Sequence, residues 1–419
     1  MSQTRSHRPP APGPLFRHWP LERSVAFLNH GSFGACPRPV LAEQARWRAR
    51  LERQPVRFLA RELESLLDEA RADLGAFLGA DPDDLAFVPN ATHAIGAVLR
   101  SLRFRPGDEL LIDDHAYNAA ANMLRFAAER DRARLIVAEV PFPCPSPASA
   151  VEPILARITP RTRLALVSHV TSPTALVFPI ERLARALSAR GVELLVDGAH
   201  APGMVPLDLA ALEAAGVTYY AGNGHKWLCG PKGSGFLWVR RDRQPSIRPL
   251  AISHGASTTR RDRSRFRLEF DWTGTADPSA YLALPAALRF MGALMPGGWP
   301  ELMATNRSLA LEGRDLILER IGGPPPAPDA MIGAMAAIPL PAPHSELPAA
   351  GAVSPLDDDP LQALLRERWR IEVPVITWPQ PWRSAPGPAG RLVRISAPPY
   401  ASSAQFDYLG GVLAELLRA

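Results

Sequence analysis

VELLVDGAHAPGMVPLDLAALEAAGVTYYAGNGHKWLCGPKGSGFLWVR, residues 192–240, holds two short apolar runs, ELLVD and VTYYAG, separated by a segment with helical spacing. The first run ends on Asp197, and the second is followed, inside a segment too glycine-rich for a helix, by Lys226. Near-continuous apolar runs of this length read as strands of a parallel sheet buried on both faces. In such a sheet the loops at the strand ends carry the chemistry, so a carboxylate and an amine placed there call for a functional reading.

The same rhythm extends upstream. From Leu85 the chain reads LAFV, ATHAIGAVLRSL, ELLID, AYNAAANMLRFAAERD, RLIVAEV, VEPILARI, RLALVSHV and IERLARALSARG, apolar strands alternating with amphipathic helices. This alternation predicts an α/β fold with a mostly parallel sheet covered by helices. The large domain is expected over residues 16–285, with an N-terminal segment, and a Pro-rich polar arm over 1–15 is expected to be disordered. Past a strongly helical stretch from Pro278 and a Pro-rich joint at 322–330 come the runs MAAIPLP, VPVITWP and RLVRISA with helices LQALLRERW and FDYLGGVLAELL. These predict a smaller α+β domain over 286–419.

Composition bounds the function class. Of the 419 residues 47% are hydrophobic and 21% charged, as in a globular protein with a large core. The net charge of +5 comes from Arg scattered among Asp and Glu, not from one basic stripe, so no nucleic-acid partner is expected. Cys36, Cys144 and Cys229 lack metal-like spacing and cannot form a disulfide framework, which fits a reducing, cytoplasmic setting with no metal. The N-terminus has no apolar stretch of the signal-peptide kind, and no stretch approaches a membrane span. No G-x-G-x-x-G follows the first strand and no G-K-[ST] closes a glycine-rich loop, which leaves nucleotide binding without support.

A lysine becomes a Schiff-base nucleophile only where a dry pocket or a neighbouring cation lowers the cost of its neutral form. Lys226, between His225 and Trp227, stands where such a pocket can form; taken alone it is one more surface lysine. Asp197 changes that reading. Pyridoxal phosphate is an electron sink while its ring nitrogen stays protonated, and a strand-end carboxylate keeps it so. His200, three residues on, can hydrogen-bond the phenolic oxygen of the same ring. A phosphate needs N–H groups at a helix start, and PNATHAIG supplies Ala91 and Thr92 there, although Thr92 also reads as a simple N-cap. DDHAYNAA puts His115 and Tyr117 after the strand ELLID, either of which can stack on a ring or move protons.

Together NHGSFGACPRPV, RQPVRFLAREL, PNATHAIG, SHVTSPTALVFPI, VDGAHAPG, GNGHKWLCGPKGSGFL, WTGTADPSAY and RISAPPYAS resemble the fold-type I pyridoxal phosphate enzymes of aminotransferase class V, in their isopenicillin N epimerase-like branch. The resemblance runs from about residue 25 to the C-terminus. It implies a seven-stranded type of sheet, and a homodimer with the site at the subunit interface. Lys226 would carry the cofactor as an internal aldimine and shuttle the Cα proton, Asp197 would pair with the ring nitrogen, and His200 with the phenolic oxygen. Ala91, Thr92 and His225 would hold the phosphate, with Thr275 reaching in from a second subunit. Arg394 would bind the α-carboxylate of an amino-acid substrate, its planar fork suited to bidentate pairing. Asn29, His30 and Phe33 would build the side-chain pocket. The chemistry expected is an external aldimine and a Cα carbanion leading to epimerisation; C–S β-lysis of the hercynylcysteine sulfoxide lyase kind, transamination, and a catalytically silent scaffold are the alternatives. No Cys follows Cys229, which tells against desulfuration through a persulfide.

Overall fold

Twelve strands are present among the described residues of the computed structural model, which are 8–341, 358–380, 382 and 390–418. In chain order they are β1 (Ala26–Phe27), β2 (Leu85–Val88), β3 (Glu109–Asp113), β4 (Arg134–Ala138), β5 (Thr162–Ser168), β6 (Glu193–Gly198), β7 (Tyr219–Asn223), β8 (Gly235–Val239), β9 (Met335–Pro339), β10 (Ile371–Glu372), β11 (Val375–Trp378) and β12 (Gly390–Ser396). Seven of them form one sheet in the order β2-β8-β7-β6-β5-β3-β4. The run from β7 to β4 is parallel, and β8 lies antiparallel to both of its neighbours. This is the α/β architecture the alternation predicts.

Both faces of the sheet are buried, which is why its strands read as continuous apolar runs. Leu194 and Val196 point into one core, while Leu195 points into the other with Leu110, Ile112 and Ala221. The covering helices turn one apolar stripe inward: in Ile180–Ser188 the buried positions are Ile180, Leu183, Ala184 and Leu187. Register brings the carboxyl ends of the central strands level, with Ser168 opposite Asp197 and Asp197 opposite Ala221. Chemistry at that edge is therefore shared among neighbouring strands.

The smaller sheet is antiparallel, in the order β11-β12-β9. Against it packs the helix Gly298–Ile321, which starts at the last glycine of the Pro-Gly-Gly break, and the C-terminal helix Ser403–Arg418 packs on that helix. The N-terminal segment departs from its expected place. β1 pairs in parallel with β10, so residues grouped with the large domain on sequence join the C-terminal part. The expected disordered arm also differs over residues 8–15; residues 1–7 lie outside the described residues. Gly13 donates its N–H to the Tyr400 carbonyl, Ser402 donates to the Ala11 carbonyl, and Phe16 and Trp19 are buried against Tyr400. Proline content suggested a solvated arm, but the two aromatics give the segment enough apolar surface to dock. Among the described residues no helix is long and apolar enough to cross a membrane, and no group of His, Cys, Asp or Glu could hold a metal ion.

Candidate active site

After β7 the chain turns through Gly224, which is locked from both sides: its N–H reaches the Ser234 carbonyl and its own carbonyl accepts from Gly230. This closed turn presents Lys226. A second segment holds it from behind, because a Cβ on Gly34 would stand 1.9 Å from the His225 carbonyl oxygen, an approach only glycine allows. The Lys226 amine lies 3.0 Å from His200 Nε2. Part of the side chain is exposed to the open site, yet enough protein surrounds the amine to lower its pKa to about 7. Burial is the main cause, the Arg394 guanidinium adds to it, and Asp197 opposes both. A lysine so tuned is a nucleophile and base near neutral pH.

Asp197 is the penultimate residue of β6, with Oδ1 accepting the Ala199 N–H at 3.0 Å. Burial raises its pKa, while that N–H and Lys226 pull it back. A carboxylate so placed gains from a cationic partner. His200 is buried and held well below the ordinary imidazole range, first by burial and then by Lys226, so it stays neutral. Its Nδ1 is buried and has no partner. A buried polar atom left so is costly, and one more donor or acceptor at this spot would satisfy it.

The helix Ala91–Ser101 begins beside the ends of β7 and β8. Gly235 lets Asn90 approach so closely that a Cβ would stand 2.7 Å from the Asn90 Cα. The N-cap is Asn90, whose side chain accepts the His93 N–H at 2.9 Å, and Ala91 donates to Asn223 Oδ1 at 2.8 Å. Thr92 therefore is not the cap; it is exposed on the first turn beside His93. His225, its Nδ1 3.2 Å from the Ser234 carbonyl, is pushed by burial to about 4 and stays neutral.

His115 and Tyr117 part company. His115 is fully buried, with Nδ1 2.6 Å from Thr174 Oγ1, Nε2 3.0 Å from the Val140 carbonyl, and its ring against Trp378, Phe142 and Phe178. Both of its ring nitrogens are thus held by protein groups. Tyr117, half exposed just before the helix Asn118–Asp131, is close enough to Arg394 to favour the charged guanidinium.

Arg394, on β12, donates through Nη1 to the Ser172 carbonyl at 2.6 Å and its hydroxyl at 3.2 Å, and through Nη2 to Ser32 Oγ at 3.0 Å. Burial lowers it to about 10, so it remains a cation at neutral pH, and its buried Nε has no partner. Ser32 in turn donates to Asn29 Oδ1, and Asn29 donates to Glu372. Asn29 thus braces the arginine from behind. His30 is likewise no pocket residue: one ring nitrogen lies 3.0 Å from the Lys226 carbonyl and the other 2.8 Å from the Tyr400 hydroxyl. Burial pushes it down to about 3. Phe33 is 73% exposed. Thr275 is exposed, between Gly274 and Ala276, which line a cleft of about 280 Å³ with Pro89 and His93. Cys229 is buried 3.8 Å from His30, and burial drives its thiol pKa up, which disfavours a thiolate. Ser32, Ser172, Asn90 and Asn223 are the site residues that sequence reasoning passed over, although all lie in or beside motifs it quoted.

Residues 38–312 match the family Aminotransferase class-V. The chain belongs to that family. It is 37% identical to the isopenicillin N epimerase of Amycolatopsis lactamdurans over 94% of this chain and 96% of that protein. To a probable chloroplastic L-cysteine desulfhydrase of Arabidopsis thaliana it is 29% identical over 94% of this chain and 83% of that one. Among solved structures a lysine-to-alanine mutant of C-DES, with glycine covalently linked to its pyridoxal phosphate cofactor, superposes with a TM-score of 0.76 at 22% identity, covering 96% and 99% of the two chains. The family implies pyridoxal phosphate, and the residues present fit it. The orphaned Nδ1 of His200, the amine near neutrality, the buried strand-end carboxylate and the glycine-tightened helix start are the features that ligand needs.

Proposed function

We propose that the chain epimerises an L-amino acid at Cα, in the manner of the isopenicillin N epimerases it is similar to. The observation that carries the reading is that the buried guanidinium of Arg394 lies near both the Lys226 amine and Tyr117. Two acid–base groups therefore flank the residue best suited to hold an α-carboxylate. Bound pyridoxal phosphate supplies the electron sink that makes the Cα hydrogen acidic. Lys226, its pKa lowered to about 7 and so largely unprotonated above that pH, would take that proton, and the Tyr117 hydroxyl would return one to the other face of the carbon. Asp197 would hold negative charge for the ring nitrogen, neutral His200 would meet the phenolic oxygen, and Ala91 and Thr92, with His225, would hold the phosphate at the helix start.

C–S β-lysis is the second reading, supported by the likeness to the desulfhydrase. The two separate in deuterium oxide, with isopenicillin N and L-cysteine as substrates. Epimerisation gives Cα-deuterated product of inverted configuration from isopenicillin N, and Tyr117→Phe lowers inversion by about 100-fold while retaining exchange at Cα. Pyruvate and ammonia from L-cysteine, with no inversion of isopenicillin N, would establish the lyase in its place.

A homodimer is part of the same reading. Exposed Phe126 and Leu250 line, with Thr92 and Met123, an apolar groove of about 360 Å³, a surface suited to a partner copy that would bring Thr275 to the phosphate end. A monomer that holds its cofactor at working concentration would sink this part.

A further inference from the structure

His225 stands where the turn after β7 meets the start of the helix Ala91–Ser101. Two residues before it, Asn223 Oδ1 accepts the Ala91 N–H at 2.8 Å. The partner of its ring, Ser234, precedes Gly235, the glycine that lets Asn90 close in. That partner is fixed. Ser234 is fully buried, its hydroxyl donates to the Pro231 carbonyl at 2.6 Å, and its own carbonyl accepts the Gly224 N–H at 2.8 Å. A carbonyl only accepts, so its 3.2 Å contact with His225 Nδ1 places the imidazole hydrogen on Nδ1. In the neutral ring Nε2 is then a bare lone pair. A phosphate seated at the helix start would meet that lone pair. Its dianion offers only acceptors, so the two would repel.

We propose that His225 holds the cofactor phosphate as an imidazolium: Nδ1–H stays on the Ser234 carbonyl, while Nε2 takes up a proton from solvent and donates it to a phosphate oxygen. The inference rests on the reading of the helix start as the phosphate site. Moving the single hydrogen to Nε2 instead would turn the Nδ1 lone pair onto a carbonyl that is held in place. Proton uptake satisfies both ends of the ring and makes the phosphate bond a charge-assisted one. The free ring is set against it: burial lowers its pKa to about 4, and Lys226 and Lys232 on the same turn lower it further. The other titratable neighbours, His30 behind the turn, His200 beside the Lys226 amine and His93 on the first turn of the helix, are themselves pushed down by burial. An adjacent dianion is the opposite charge that raises an imidazole, so binding itself supplies the shift. The sign follows from linkage. A group whose pKa rises on binding contributes affinity at low pH, and that contribution is lost as pH rises through the bound value.

The test uses the full chain and pyridoxamine 5′-phosphate, which carries the phosphate but has no aldehyde to react with Lys226, with pyridoxamine as the phosphate-free control. Calorimetry in buffers of different ionisation enthalpy counts the protons, at about pH 7.5, where the phosphate is already a dianion in solution. Wild type should take up about one proton more with the phosphorylated ligand than with the control, and its affinity for that ligand should fall by about tenfold from pH 7 to 8. His225→Gln, with an amide N–H near the place of Nε2 and nothing to titrate, should take up about one proton fewer and lose less affinity over that range. Histidine ¹⁵N spectra of the wild type should show both His225 nitrogens protonated in the complex and only Nδ1 in the free protein, a readout that stands even where the variant fails to fold. A complex in which His225 carries one proton, on either nitrogen, would overturn the imidazolium, as would equal uptake by wild type and a folded His225→Gln. Affinities for the two ligands within about twofold of each other would instead overturn the phosphate site, and the inference with it.

Discussion

The two walls of the site are built on different principles. Asp197 and Lys226 come from the ends of adjacent strands of one sheet, with His200 on the turn after the first, all within 30 residues of chain. The opposite wall is assembled from Ser32 near the N-terminus, Ser172 after β5 and Arg394 on β12, with Asn29 and Glu372 behind them. The first wall inherits its geometry from parallel pairing, so its reacting groups stand where the sheet puts them. The second wall is only as accurate as a chain of hydrogen bonds linking three remote segments. Chemistry is thus anchored on the rigid side, and recognition is delegated to the composite one.

Cutting into the first wall should cost most. Lys226→Ala should lower turnover by on the order of 10³-fold or more and abolish covalent fixation of the cofactor by borohydride, read by absorbance and mass. In the wild type the rate of cofactor uptake should rise with pH through about 7 and level off above it, because the lysine attacks only when unprotonated. A profile centred near the ordinary lysine range would mean that the first wall does not tune its amine. On the second wall, Arg394→Lys keeps the charge and loses the planar fork, so KM should rise by roughly 10- to 100-fold with a smaller change in kcat. Equal losses in both would move Arg394 from recognition into the chemistry. The smallest effect is expected one bond further out: Ser32→Ala should raise KM by about fivefold and leave the absorbance signal of bound cofactor unchanged. If it disturbs that signal, the two walls are not independent.

The same contrast decides what could be read without a structure. Asp197, His200 and Lys226 are legible because strand, turn and glycine pattern sit within one quoted stretch, and so does the sheet they close. Arg394 came through the resemblance of RISAPPYAS. Ser32 did not, since its role is a contact across 362 positions. Asn29 and His30 were misplaced for a related reason. Polar residues beside glycines look solvent-facing, but Glu372 and Tyr400, supplied from the far end of the chain, are what bury and satisfy them. The surroundings of His115 are hidden for the same reason, its partners Thr174 and Val140 lying on other loops. The contact between His169 and Tyr220 has no linear signature either, because the two residues come from different strands of the sheet.

The bond between His30 and Tyr400 also sets an order of events during synthesis. His30 steadies the carbonyl of Lys226, yet its own partner is made 370 residues later, and β1 waits for β10 to pair. On the ribosome the sheet carrying Asp197 and Lys226 can form while the C-terminal part is still being translated. The brace behind the lysine cannot close until Tyr400 emerges from the exit tunnel, so the reactive amine gains its full support long after its own strand is made.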